Sequence, residues 1–190
     1  MRDFLHALVL DEHPSYLWFL TTYGTTTGQT GRFANEIMQK KGLSFAAYFS
    51  VKMPDTWTPI FDLSDLQKVR RINLNAEREI DFAIKKIQSR SAGDYMRNKV
   101  PTILAKTFYG LEYDAMWKTS HFKVENPCIG CGLCAKNCPA SAIEIRNKKP
   151  VWVKDRCVMC LSCLHHCPKF AIQYENRTKK HGQYTNPNVK

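Results

Sequence analysis

The sequence predicts an α+β protein in which a β-α-β segment and a long helix precede a small cysteine-rich unit. Three observations carry this. Two near-continuous apolar runs, Ser15–Thr22 and Leu43–Val51, flank a segment of helical character. Apolar residues recur at helical spacing from Leu66 to Ile87. All eight cysteines then fall between Cys128 and Cys167, in two groups of identical spacing. The boundaries that follow are 1–63 for the α/β segment, 64–121 for a helical connector, 122–176 for the cysteine unit and 177–190 for a basic, disordered tail.

Taken in order, Asp3–Leu10 reads as a helix ended by His13-Pro14. Ser15–Thr22 (SYLWFLTT) fits a strand buried on both faces. Gly24–Gly31 form a loop. Arg32–Lys41 form a helix with Phe33 and Ile37 on one face and Gly42 as its stop. Leu43–Val51 (LSFAAYFSV) is a second strand, so a parallel pair with a right-handed crossover is expected. After the loop KMPDTWTP, Ser64-x-x-Gln67 resembles a capping box. Leu66, Val69, Asn73, Ala76, Ile80, Ile84 and Ile87 then share one helical face, up to a stop near Gly93. Two strands alone leave bare ladder edges, so this reads as the end of a larger sheet.

Charge and composition bound the function. No apolar run reaches the roughly 18 residues of a membrane span. The start, Met1-Arg2-Asp3, does not read as a signal peptide, so a cytoplasmic location is the default expectation. The formal charge of +11 raises nucleic acid or a membrane surface as partners. The basic residues are spread along the chain, however, and no nucleic-acid-binding motif accompanies them. The one concentrated run holds Arg177, Lys179, Lys180 and Lys190. It reads as a solvated tail, or as a docking surface for an acidic partner. His6, His13 and His121 are isolated and suggest no catalytic constellation.

The cysteine groups are CIGCGLCAKNCP (Cys128, Cys131, Cys134, Cys138) and CVMCLSCLHHCP (Cys157, Cys160, Cys163, Cys167). Both read C-x2-C-x2-C-x3-C-P. An offset of 29 residues superposes every cysteine, both prolines, and Ala142-Ile143 on Ala171-Ile172. Disulfides would suit a secreted mini-protein, which nothing else indicates. Structural zinc usually takes its ligands in two separated pairs. Four cysteines in one short run ending in Cys-Pro, and then repeated, form the bacterial ferredoxin signature.

From about Phe122 to Tyr174 the chain thus resembles the two-[4Fe–4S] ferredoxin family. The elements agree: strands at Phe122–Val124 and Ala142–Ile145, a turn at Asn147–Pro150 into Val151–Val153, and a strand at Phe170–Tyr174. Short helices fall at Leu133–Asn137 and Ser162–His166. The resemblance implies crossed ligation. Cluster A would take Cys128, Cys131, Cys134 and Cys167, and cluster B Cys157, Cys160, Cys163 and Cys138. Each oxidised site would add a charge of about −2 and leave the chain basic. Gly130 and Gly132 would allow close backbone approach to cluster A, where cluster B has Met159 and Leu161. His165 and His166 read as solvated helix residues.

A second resemblance rests on "TTYGTTTGQTG", then "VKMPD", then a long helix before the cysteines. This order is similar to the flavodoxin-fold/ferredoxin fusion proteins of the EFR1 type. It implies that residues 1–63 are a partial flavodoxin-like α/β segment holding the fourth and fifth strands of that fold. The first three strands and their phosphate loop would be absent from this chain. Thr25-Thr26-Thr27-Gly28-Gln29-Thr30 matches T-x-T-G-x-T, a phosphate-loop spelling. Its place after the fourth strand instead implies a flavin ring-side loop, with Tyr23, Gly24, Thr25 and Thr26 as the candidate FMN contacts.

The leading expectation is an electron carrier with two [4Fe–4S] clusters and redox partner proteins, some of them acidic. The resemblance adds low potential and anaerobic metabolism. The alternative is the iron–sulfur part of an FMN-dependent oxidoreductase. Clusters of purely structural role, with a nucleic-acid-binding tail, are a third reading.

Overall fold

A computed structural model describes residues 2–10, 14–101 and 117–188. The chain divides into two compact units. One takes Met1–Pro54 and Gln67–Thr107, the other Asp55–Leu66 and Phe108–Lys190.

In the first unit, α1 (Arg2–Ala7) leads to β1 (Trp18–Tyr23), α2 (Thr30–Gln39) and β2 (Ala47–Lys52). The two strands pair in parallel over their whole length, from Trp18 opposite Ala47 to Tyr23 opposite Lys52. α3 (Leu66–Gln88) returns the chain to β3 (Gly93–Asp94), which adds a third parallel strand beside β2. β3 is a departure from the sequence reading, which took Gly93 only as a stop. A Gly-Asp pair has no strand propensity; it extends because Gly93 and Tyr95 donate to the Ala46 and Tyr48 carbonyls.

Both sheet faces carry a core. On one, Phe19 packs with Leu5, Ala34 and Met38. On the other, Ala47 and Phe49 meet Ala83 of α3, and Tyr95 stacks on Phe49 at 5.2 Å. The fully buried residues of α2 are Gly31, Ala34 and Met38; of the expected face, Phe33 and Ile37 are half-buried and Ile37 packs against the same core. Gly31 lies in close contact, since a Cβ there would meet Met96 Sδ at 2.7 Å. α3 buries only Val69, Ala76 and Ala83, so the apolar Leu66 and Ile84 of the expected face lie exposed. α1 stops at Ala7, short of the expected Leu10, and His13 lies outside the described residues.

In the second unit, β4 (Phe122–Val124) pairs antiparallel with β7 (Ile172–Tyr174). β5 (Ile143–Arg146) and β6 (Lys149–Trp152) form a hairpin whose turn, Asn147-Lys148, has φ of 49° and 58°. Positive φ at both turn residues matches the right-handed twist of a two-residue hairpin. One-turn helices α4 (Leu133–Lys136) and α5 (Ser162–His165) lie between these strands in the chain. The core gathers Phe122, Ile143, Leu161, Leu164, Ile172 and Tyr174, with Trp57 packed against it.

The tail does not behave as a solvated run over its described part. α6 (Thr178–His181) buries Thr178, whose hydroxyl donates to Gln173 Oε1 at 2.7 Å. The Leu63 amide donates to the His181 carbonyl at 2.9 Å, and Gln183 Nε2 donates to the Leu164 and Cys167 carbonyls. The basic residues stay outward while Thr178 and Gln183 satisfy backbone groups that would otherwise be unpaired.

Candidate metal centre

The cysteine unit repeats its backbone more faithfully than its sequence. Gly132 and Leu161 each precede a one-turn helix with left-handed φ, 77° and 54°. Gly130 and Met159 share it (67° and 49°), as do Ser141 and Phe170 (47° and 46°). Each pair is separated by the 29-residue offset. Glycine adopts this conformation freely, whereas a side-chain-bearing residue is penalised by about 1 kcal/mol. Met159 and Leu161 accept that cost because Leu161 is buried in the core and Met159 packs against it.

These loops wall two cavities. The first is lined by Cys128, Cys131, Cys134 and Cys167, with Ile145 and Pro150 of the hairpin behind them. The second is lined by Cys157, Cys160, Cys163 and Cys138, with Phe122 and Trp152 behind. The fourth cysteine of each half therefore lines the cavity of the other half. It follows one helical turn and a tight turn that carries it across the unit. Both crossings are pinned alike: the Ala142 amide donates to Cys138 Sγ, and the Ala171 amide to Cys167 Sγ, each at 3.3 Å. The Met159 amide donates to Cys157 Sγ at 3.4 Å. The sequence carried a signal for the crossing donors, since Ala142 and Ala171 superpose under the repeat.

The donor set suits a cationic cluster. Burial pushes the Cys134, Cys157 and Cys163 thiols up from their ordinary pKa, and the nearby cysteines add to this. The effect is largest at Cys163, which senses Cys134 of the first cavity as well as the three cysteines of its own. Such thiols hold their protons until a metal offsets the buried negative charge, so loading releases protons. Among the described residues no three His, Cys, Asp or Glu side chains converge closely enough to hold one metal ion. Quartets spread around a cavity suit a polynuclear cluster.

His165 departs from the solvated reading. It is buried; Tyr184 N–H donates to its Nδ1 at 3.2 Å, so Nε2 carries the proton and donates to the Thr56 carbonyl at 2.9 Å. Burial holds its pKa below the usual histidine range. His166 stays exposed, with Nδ1 beside the Ser162 hydroxyl. No motif marked Thr56 or Tyr184, which lie far from His165 in the chain.

The loop after β1 is occupied by its own chain. Thr26 Oγ1 donates to the Asn98 carbonyl at 2.6 Å, and Thr27 Oγ1 to the Arg97 carbonyl at 2.8 Å. The Gln29 side chain reaches the Val100 carbonyl, and Gly28 bridges to Lys99 in parallel. Tyr23 is buried and its hydroxyl accepts from Asn98 Nδ2 at 3.3 Å. Gly24 is half-buried and Thr25 exposed beside it. The Tyr23 and Thr26 hydroxyls thus both bond to Asn98.

No helix among the described residues is long and apolar enough to cross a membrane. No curated protein and no solved structure matches the chain. No finding supports the flavodoxin–ferredoxin fusion family suggested by the order of motifs. Residues 127–172 match the family model described as a 4Fe-4S dicluster domain. That span contains all eight cysteines and every residue lining the first cavity, and it supports an iron–sulfur electron-transfer role. The chain is a mixed helix-and-strand protein that carries a ferredoxin-type 4Fe-4S domain toward its C-terminus.

Proposed function

We propose that this protein is a one-electron carrier with two [4Fe–4S] clusters. Cys128, Cys131, Cys134 and Cys167 would hold one, and Cys157, Cys160, Cys163 and Cys138 the other. The observation that carries this reading is the interleaving of the two quartets around two adjacent cavities. When bound, each cluster takes up and releases one electron. The chain's own part is to hold the sulfurs and exclude water. The Ala142 and Ala171 amides fix the crossing sulfurs, and donors to cluster sulfurs are one means by which a protein sets the potential. Leu161 and Ile172 put buried apolar side chains into the walls of the second and the first cavity respectively. Closely spaced sites favour passage of an electron from one to the other and then to a redox partner.

The flavin-dependent alternative needs a ring-side loop with free contacts. With Tyr23 buried and Thr26 engaged, the electron carrier is the better supported reading.

The test is analytical. Anaerobically purified full-length protein is expected to be brown, with about eight iron and eight labile sulfide per chain, as two four-iron clusters require. Stoichiometric zinc without sulfide would overturn the proposal.

A further inference from the structure

The two cavities do not present the same surface. Each opens beside one exposed cysteine, Cys131 in the first and Cys160 in the second. Each has an apolar residue at the rim, Ile129 at 59% exposure and Val158 at 49%. The cations around them differ in how they are used.

At the second cavity they serve the fold. Lys154 Nζ donates to the Ala140 carbonyl at 2.6 Å, so its charge closes the turn that carries Cys138 across. A further segment of chain runs alongside this rim. Cys157 N–H donates to the Trp117 carbonyl, Thr119 N–H to the Asp155 carbonyl, and Lys118 bridges to Arg156. Cys163 is buried at its floor.

At the first cavity the cations stand free. Lys169 lines the cavity with Cys131 and Cys167 and is exposed. Lys148, exposed on the hairpin turn, lies against the loop before Cys131; a Cβ on Gly130 would sit 2.5 Å from its carbonyl oxygen. Among the described residues neither lysine makes an ion pair or a side-chain hydrogen bond. Ile145 adds apolar surface that is 38% exposed. A small apolar patch at an exposed cysteine, flanked by two uncommitted ammonium groups, is complementary to a carboxylate-rimmed surface.

We propose that the Cys131 rim, formed by Ile129, Ile145, Lys148 and Lys169, is the docking surface for an acidic electron-transfer protein, and that electrons enter and leave the cluster pair there and not at the Cys160 rim. This rests on the two-cluster reading above. One electron lost by the cluster pair is one electron gained by the partner's redox centre, and the reverse on reduction; no bond is made or broken. The lysines act by steering and orienting the partner, an effect that changes association by roughly 10- to 1,000-fold and fades with salt.

The test uses the full cluster-loaded chain and an acidic flavodoxin as the probe, with basic cytochrome c as the opposite-charge control. Binding is measured by titration at low and at physiological salt, and lysine protection by mass spectrometry. K148E/K169E is expected to weaken flavodoxin binding at least tenfold at low salt and to strengthen cytochrome c binding. R70E/R71E, the same charge change at exposed residues of α3, is expected to shift binding less than threefold. Lys148 and Lys169 should be protected in the wild-type complex. Equal loss in both double variants, or protection at Lys154 instead, overturns the proposal, and so does no detectable flavodoxin binding. Iron and sulfide are counted in every sample. A preparation without two clusters per chain refutes the two-cluster reading itself, and full loading with unaltered binding refutes only the docking surface.

Discussion

Gly130 and Gly132 show how a single atom decides whether a loop can wrap a cofactor. Both have left-handed φ, but a Cβ on Gly130 would press on the Lys148 carbonyl at 2.5 Å. At Gly132 the nearest neighbour would be Ile145 Cγ1 at 3.8 Å. Gly130→Ala is therefore expected to cut iron per chain from about eight toward four, while Gly132→Ala retains most of it; iron analysis separates the two. The cysteines themselves were legible from sequence, since thiol identity and spacing carry their chemistry. Thr26 and Thr27 were not. Their hydroxyls bond to carbonyls some 70 residues later, and a Thr/Gly spelling is the same whether it cradles a phosphate or its own chain. His165 was misread for a like reason, because its partners Thr56 and Tyr184 come from segments with no motif.

At the scale of elements, strong periodicity was read correctly and weak propensity was not. β1, β2, α2 and α3 were each found, with ends displaced by a few residues. β3 was missed because two residues hydrogen-bonded to a neighbouring strand leave no pattern. The buried stripe of α2 runs through small residues, Gly31 and Ala34, which hydropathy undervalues against Phe33. α6 and the residues after it were expected in solvent, yet they cap α5 and the Cys167 turn. Removing residues 177–190 leaves the Leu164 and Cys167 carbonyls and the His165 Nδ1 without these partners. Each lost hydrogen bond is worth about 1 kcal/mol, and in a small unit that much shifts the melting temperature by about 4–8 °C. Loss of visible absorbance on heating should therefore occur more than about 5 °C lower in the truncated chain. An unchanged transition would show that the tail is dispensable.

For the whole molecule, the repeat does not make two independent halves. Cys138 lines the second cavity and Cys167 the first. Cys167→Ala is thus expected to perturb the cluster bordered by Gly130 and Gly132, far from it in sequence, and Cys138→Ala the cluster bordered by Met159 and Leu161. Electron paramagnetic resonance of the reduced variants, compared with Gly130→Ala, would assign each signal; a Cys167→Ala spectrum that differs from Gly130→Ala in which cluster is lost would contradict the interleaving. The fold class and the C-terminal unit were legible as a whole, because a repeat with fixed offsets is visible without any structure. The first unit was legible only as strands and helices, since its hydrogen-bonded loop carries no chemistry-bearing spacing. Interleaving also sets an order of events during synthesis. On the ribosome, residues 128–138 emerge with three of the four cysteines of their own cavity and one that belongs to the other. The second cavity gains its last cysteine with Cys163 and the first with Cys167, so a chain stalled before Cys163 offers the iron-delivery machinery no complete site, and maturation of both centres is confined to the end of this unit's synthesis.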